Sequence, residues 1–270
     1  MKILITGAHG FLGSRLVTRL EKSHEVIAPT HAEMDIRDVA ALRKVFDAHK
    51  PEAVVHCAAL SNTWYCEQHP EESMQVNVQA TRQLAELCAE TGAKLIFMSS
   101  DQVYNGTPLE GPLPEDAPLA PVNHYGRHKL MAEREVRKVC PNAVGLRLTW
   151  MYDSPDSPFR LNTNVLVNLR KAYENGETVK AATHEHRGMT NVWEVVENIE
   201  KCLDVPGGIY NFGSENALDS YETFKHFAKV LGLPDGIVVA DEERFADQPR
   251  NIAMDTGKMK ALGINFNATT

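Results

Sequence analysis

Short apolar runs rich in β-branched residues recur along this chain, and most are followed by a stretch whose apolar positions return every three or four residues. Lys2-Ile3-Leu4-Ile5-Thr6 reads as a buried strand, and Leu16 and Leu20 mark one face of the helix after it. Glu25-Val26-Ile27-Ala28 reads as a second strand, and Val39 to Leu42 open a second helix. Ala53-Val54-Val55-His56 forms a third strand, with helical periodicity over residues 73–90 through Val76, Ala80, Leu84 and Leu87. Lys94-Leu95-Ile96-Phe97-Met98 is a fourth strand that ends in two hydroxyls, Ser99 and Ser100. A helix over residues 125–139 and a strand over residues 143–150 follow. Strand and helix in strict turn predict an α/β fold, a Rossmann-type doubly wound parallel sheet.

The pattern loosens in two places. Between Ser100 and Tyr125 the chain carries Gly106, Pro108, Gly111, Pro112, Pro114, Pro118 and Pro121, which predicts a loop over the carboxyl ends of the strands. After about residue 151 a turn-rich link, Asp153-Ser154-Pro155-Asp156-Ser157-Pro158, leads to a helix through Val165, Leu169 and Ala172 and a short strand over residues 178–182. A glycine-flanked strand over residues 207–213 and an amphipathic helix over residues 220–231 follow. The expected division is a nucleotide-binding domain, 1–150, and a small α/β substrate-binding region, 151–270, whose chain is free to cross back to the first. Ser61-Asn62-Thr63-Trp64-Tyr65-Cys66 reads as a polar and aromatic loop facing substrate.

Composition narrows the functional classes. A net charge of −8 argues against a nucleic-acid surface, because phosphate backbones are bound by Lys and Arg. No apolar run approaches the roughly 20 residues that span a bilayer, so no membrane role is expected. The five cysteines are odd in number and lack CxxC spacing, which predicts reduced thiols and a cytoplasmic setting. His184 and His186 stand two apart, but no further ligand cluster accompanies them, and no metal is expected.

The chemistry is concentrated in three stretches. Gly7-Ala8-His9-Gly10-Phe11-Leu12-Gly13 lies between a strand and a helix, the context in which glycines let a pyrophosphate approach the backbone at a helix N-terminus. Cys57-Ala58-Ala59 follows the third strand, and its two small residues allow a cofactor equally close. The exit of the second strand, Pro29-Thr30-His31, lacks the acid that usually binds the ribose hydroxyls of NAD. A 2′-phosphate meets no repulsion there, and Thr30, His31 or Arg15 would assist it. That tilts the expectation slightly to NADP(H) over NAD(H). Tyr125 and Lys129 stand four apart and share a helix face, where the ammonium is expected to lower the phenol pKa. With a hydroxyl from Ser100 this is general-acid chemistry on a carbonyl, and it needs a hydride partner.

These residues, with Asp35-Ile36, His56-Cys57-Ala58-Ala59, Asn77 and Leu146-Arg147, resemble the extended short-chain dehydrogenase/reductase family over nearly the whole chain. The resemblance implies Ser100, Tyr125 and Lys129 as the catalytic set. It implies a cofactor site of Gly7, His9, Gly10, Phe11, Leu12, Gly13, Thr30, Asp35, Ile36, Cys57, Ala58, Ala59, Asn77 and Ser99, with Tyr125 and Lys129 at its nicotinamide end. Asp35 has an alternative as a helix cap, Asn77 as a solvent-facing residue, and His56 as a satisfied strand-end histidine. Asp101, Val103, Trp150 and Arg187 are the candidate substrate contacts, Arg187 for a phosphate or, alternatively, as a solvated surface residue.

Within the family, Ser99-Ser100-Asp101-Gln102-Val103-Tyr104-Asn105-Gly106, Leu146-Arg147-Leu148-Thr149-Trp150 and Pro249-Arg250-Asn251 are most similar to the dTDP-4-dehydrorhamnose reductases. Departures are Gln248 and Ile252 for Arg and Ser in the closing segment, Gln102 for Tyr, and Tyr104 for Phe. Sugar-nucleotide dehydratases carry Asp-Glu after the catalytic hydroxyl; Asp101-Gln102 removes the second acid and argues against elimination. The resemblance implies reduction of a nucleotide-linked 4-keto-6-deoxy sugar and is compatible with a homodimer. Two alternatives stay open: an NAD-dependent sugar-nucleotide epimerase, and a cofactor-binding regulatory subunit like that of methionine adenosyltransferase.

Overall fold

The computed structural model describes residues 1–270. Six parallel strands form the central sheet, in the order Gly208–Phe212, Val144–Leu148, Lys94–Ser100, Ala53–His56, Lys2–Thr6, Glu25–Ile27. Ile3 pairs with Ala53 on one side and Val26 on the other, so the chain reverses its direction of travel across the sheet at Lys2–Thr6. The crevice beyond the carboxyl ends of Lys2–Thr6 and Ala53–His56 is therefore the switch point at which such sheets bind ligands.

Continuous apolar runs are needed because both faces of the sheet are covered. Ile3, Ile5, Val55, Ile96 and Leu146 pack against the helices Phe11–Leu20 and Val192–Ile199. Leu4, Val54, Leu95 and Phe97 face the helices Val39–His49, Thr81–Thr91 and His124–Val139. His56 is buried between Thr6 Oγ1 (2.7 Å) and Thr81 Oγ1 (3.0 Å), and desolvation pulls its pKa down to about 3. It is a satisfied strand-end histidine.

The sixth strand, Gly208–Phe212, pairs with Val144–Leu148, so the central sheet takes its edge from a segment that interrupts the second lobe in sequence. That lobe packs the helices Val165–Glu174 and Ser220–Val230 on the parallel pair Val179–Ala182 and Val238–Asp241. The run expected as one strand over residues 143–150 is broken at Thr149. Trp150–Tyr152 leaves the sheet and pairs with Met189–Asn191. The stretch expected as a loop after Ser61 contains a short helix, Thr63–Gln68, because Asn62 caps it by accepting from Tyr65 N at 2.8 Å. All five cysteines are unpaired, and no helix is long and apolar enough to cross a membrane.

Candidate active site

The turn after Lys2–Thr6 is closed backbone on backbone. Gly7 has φ +66°, and a Cβ there would lie 2.7 Å from Ala58 N; a Cβ on Gly13 would lie 2.2 Å from the Gly7 carbonyl oxygen. Gly10 N donates to that carbonyl at 2.9 Å, and the helix Phe11–Leu20 begins at Gly10 with no side-chain cap. Its first amides and the positive end of its dipole are thus offered to an anion across a surface bare of Cβ atoms, which fits a pyrophosphate. Opposite, Ala58 N is held by Thr6 Oγ1 at 3.2 Å. His9 is exposed at the rim and Phe11 half-buried, whereas Leu12 points into the core and has only its backbone to offer.

The rim for the adenosine end differs from expectation in detail. Thr30 is exposed, and its N–H and hydroxyl both donate to Glu33 Oε2 at 2.8 Å. Asp35 accepts from Arg37, and that guanidinium holds its carboxyl at about 2. Asp38, not Asp35, caps the next helix, accepting from Ala40 N and Ala41 N. Ile36 is core, packed with Leu42 and Leu84. Arg15 cannot assist a 2′-phosphate, because its guanidinium is fully buried and donates to Asp153 Oδ2 from Nε at 2.9 Å and Nη2 at 2.5 Å.

The catalytic candidates come from two elements brought into backbone contact. The strand Lys94–Ser100 runs into the tight turn Asp101–Tyr104, whose first amide Ser100 caps: Oγ accepts from Gln102 N at 3.2 Å. Asn123 caps the helix His124–Val139, and Gly126 lets that helix sit on the turn, since a Cβ there would be 2.4 Å from the Gln102 carbonyl oxygen. Tyr125 is thereby buried beside Ser100. One turn on, Lys129 Nζ donates to the Met98 carbonyl at 2.9 Å and lies 5.7 Å from the Tyr125 ring centre.

The electrostatics correct one expectation. Lys129 does not bring the Tyr125 phenol down: burial pushes it above its ordinary value, the Asp101 charge pushes the same way, and the neighbouring Ser100 hydroxyl opposes them only in part. The same burial lowers Lys129 to about 8. The pair is therefore a protonated phenol beside an ammonium at neutral pH, a proton donor rather than a base.

Asn77 is buried in a π-helical turn, Gln75–Ala80, and does not face solvent. Its Oδ1 accepts from Leu60 N at 3.0 Å and its Nδ2 donates to Leu60 O at 2.9 Å, fixing the segment after Ala59. Single π turns inside helices are frequent at functional sites. Ser99 donates to Glu133 Oε1 at 2.5 Å, which turns its hydroxyl away from the crevice. Glu133 in turn accepts twice from Arg147, and Arg147 Nη1 donates to Tyr104 Oη at 2.6 Å. This buried ladder bolts the catalytic helix to the sheet; its signal in the sequence was Arg147, an arginine inside an apolar strand.

On the substrate side, Asp101, Trp150 and Arg187 are brought together. Arg187 Nη2 donates to Asp101 Oδ2 at 2.7 Å, and its guanidinium lies 5.3 Å from the Trp150 ring centre. Arg187 is therefore a paired, largely buried residue, not a solvated one. Val103 is fully buried with Tyr104, Leu113 and Ile252, so it is core and not a substrate contact. Sequence reasoning missed Glu185 and Arg250, which pair beside Arg187. Gln102 Oε1 accepts from Asn105 and Asn123 at 3.1 Å each, so its amide is spent on the turn.

Comparison with known proteins bears on the family and the fold. The family model "RmlD substrate binding domain" matches residues 1–268. A dTDP-4-keto-6-deoxy-D-glucose reductase of Streptomyces niveus is 36% identical over 238 residues, 87% of this chain and 80% of that protein. Methionine adenosyltransferase 2 subunit beta of Xenopus laevis is 29% identical over 97% of this chain and 83% of its own length. Among solved structures, the dTDP-4-dehydrorhamnose reductase of Bacillus anthracis, in complex with NADP, shares the fold with a TM-score of 0.88 at 20% identity, covering 99% of this chain and 95% of that one.

Proposed function

This chain belongs to the RmlD substrate binding domain family, and from that premise we propose that it reduces the 4-keto group of a nucleotide-linked 4-keto-6-deoxy sugar with NAD(P)H. The observation that carries the reading is the meeting of Ser100, Tyr125 and Lys129 beside the bare glycine cradle at the switch point of the sheet. The reductase of Streptomyces niveus supports the substrate class. The NADP complex of the Bacillus anthracis structure supports NADPH as the slightly favoured carrier.

The residues divide the work as follows. Gly7 to Gly13 and the first amides of the helix Phe11–Leu20 would hold the pyrophosphate, and Ala58 and Ala59 the far wall. When bound, the reduced nicotinamide supplies hydride to the ketone carbon. Ser100 orients the ketone oxygen, and Tyr125 gives that oxygen its proton. The phenol is suited to this because its raised pKa keeps the proton in place until negative charge develops on the oxygen. Lys129, one helical turn on and charged at neutral pH, returns a proton to the tyrosine after each turnover. Trp150 and Arg187 face the sugar nucleotide. Elimination of water is disfavoured, because the locked Gln102 amide supplies no second acid or base.

The test is consumption of reduced cofactor with dTDP-4-keto-6-deoxyglucose, NADPH and NADH being offered separately and Tyr125→Phe run beside wild type. Turnover by wild type alone is expected. A second reading, a cofactor-binding regulatory subunit, draws on the likeness to the Xenopus laevis protein. Cofactor binding without turnover, and co-purification of a methionine adenosyltransferase, would favour it and sink the reductase reading.

A further inference from the structure

Asp101 follows the catalytic serine directly, and neither of its oxygens is free to take a substrate. Oδ1 accepts from Ser100 Oγ at 3.1 Å and from Gln102 Nε2 at 3.4 Å, while Oδ2 accepts from Arg187 Nη2 at 2.7 Å. The carboxylate is 2% exposed, so it is held by these partners and not by water. Ser100 belongs to the central sheet, whereas Arg187 belongs to the second lobe and lies 86 residues from Asp101 along the chain. Asp101 hydrogen-bonds both.

We propose that Asp101 is a positioning residue that couples the two lobes, setting the Ser100 hydroxyl from one oxygen and the Arg187 guanidinium from the other. The inference rests on the reductase reading above. Its chemical content lies in the single proton of Ser100. That proton is directed at Asp101, yet orienting a ketone requires it to be directed at the substrate. Arg187 makes the exchange possible: by donating to Oδ2 it draws off charge that would otherwise hold the serine proton on Oδ1. An unpaired Asp101 would be a buried carboxylate gripping the catalytic hydroxyl. Arg187 is itself steadied by Trp150 beneath its plane and by its backbone carbonyl, which accepts from Asn216 Nδ2 at 3.0 Å.

The prediction concerns which kinetic constant moves. If Arg187 served only to bind substrate, Arg187→Met would raise KM for the sugar nucleotide and leave kcat alone. Acting through Asp101, it should lower kcat as well, by about 10- to 100-fold, the range that misplacement of a reacting group produces. Asp101→Asn keeps the shape, removes the grip on the serine proton, and should make kcat indifferent to Arg187.

The experiment is a double-mutant cycle of Asp101→Asn and Arg187→Met on 4-keto sugar nucleotide reduction, with Arg187→Lys as the conservative variant and cofactor KM followed throughout. The expected result is a kcat loss in Arg187→Met that is largely recovered by adding Asp101→Asn, and partly by Arg187→Lys, with cofactor KM unchanged. Additive losses in kcat, or an Arg187→Met effect confined to KM, would overturn the coupling while leaving the reductase reading intact. A wild-type enzyme silent with the keto sugar would overturn the reading and the coupling together.

Discussion

Burial acts on Tyr125 and Lys129 in opposite directions, and the pH dependence of the site follows from that. Desolvation disfavours the charged form of each, so the phenol is raised and the ammonium lowered to about 8. Below that value Lys129 is charged and the phenol intact; above it the lysine loses its proton first. We expect kcat/KM for reduction to fall as pH rises through about 8. A profile flat to pH 10 would show that Lys129 does not titrate in the working enzyme. Tyr125→Phe should lose about 10²- to 10⁴-fold in kcat, the usual worth of a general acid, with cofactor affinity retained. Ser100, Tyr125 and Lys129 were legible as a candidate group through their likeness to the short-chain dehydrogenase/reductase family, not through periodicity. Val103 and Ile36 were not, since a motif names a stretch, while only the backbone decides which of its side chains turn inward. Arg187 could be suspected from its neighbours, but its partner is remote in the sequence, and no local pattern announces that.

At the scale of elements, the glycine turn and the π turn are the two places where backbone geometry is under strongest demand. A methyl group on Gly13 would have to move the Gly7 carbonyl, whereas one on Gly10 would meet the same atom at 3.1 Å, a contact a small shift relieves. Gly13→Ala should therefore lower both Tm and cofactor affinity, and Gly10→Ala should do so much less. Equal effects, read by thermal unfolding and cofactor fluorescence, would refute the packing argument. Asn77→Ala leaves Leu60 N without its side-chain partner and Leu60 O with only the Cys66 thiol, and should cost about 1–3 kcal/mol by urea unfolding. Apolar periodicity found the helix over residues 73–90 yet could not show the π turn, because Gln75–Ala80 is only six residues and too short for a change of period to register. Thr149 likewise gave no sign of ending its strand, since what takes over there is remote in the sequence: its Oγ1 hydrogen-bonds Thr190, on the strand with which Trp150–Tyr152 pairs.

Across the whole molecule, a further buried ion pair, Arg15–Asp153, joins the first helix to the link that follows the central sheet's Val144–Leu148 strand. Arg15, on the first helix, is fully buried and held by Asp153, by the Phe11 and Arg160 carbonyls, and between the rings of Phe11 and Phe159. Removing one partner leaves the other charge stranded, so Arg15→Met should cost about 3–5 kcal/mol in urea unfolding. A loss under 1 kcal/mol would show that water reaches Asp153. From the sequence Arg15 was read as a cofactor contact, a fair inference from its place near the glycines; only the fold shows that the guanidinium points beneath the helix. The strand–helix alternation, by contrast, made the parallel sheet legible from the start.

The sheet's sixth strand has a consequence for synthesis. As the chain leaves the ribosome, Val144–Leu148, buried at every position in the finished protein, stands as an uncovered sheet edge until Gly208–Phe212 emerges roughly 60 residues later. At ~5–20 residues per second that interval is on the order of 3–12 s, long compared with hairpin formation or collapse. For those seconds the nascent protein offers an apolar template to any neighbouring strand, which makes it a natural client for chaperones that shield edges. A fragment halted near residue 150 would remain in that state permanently and aggregate.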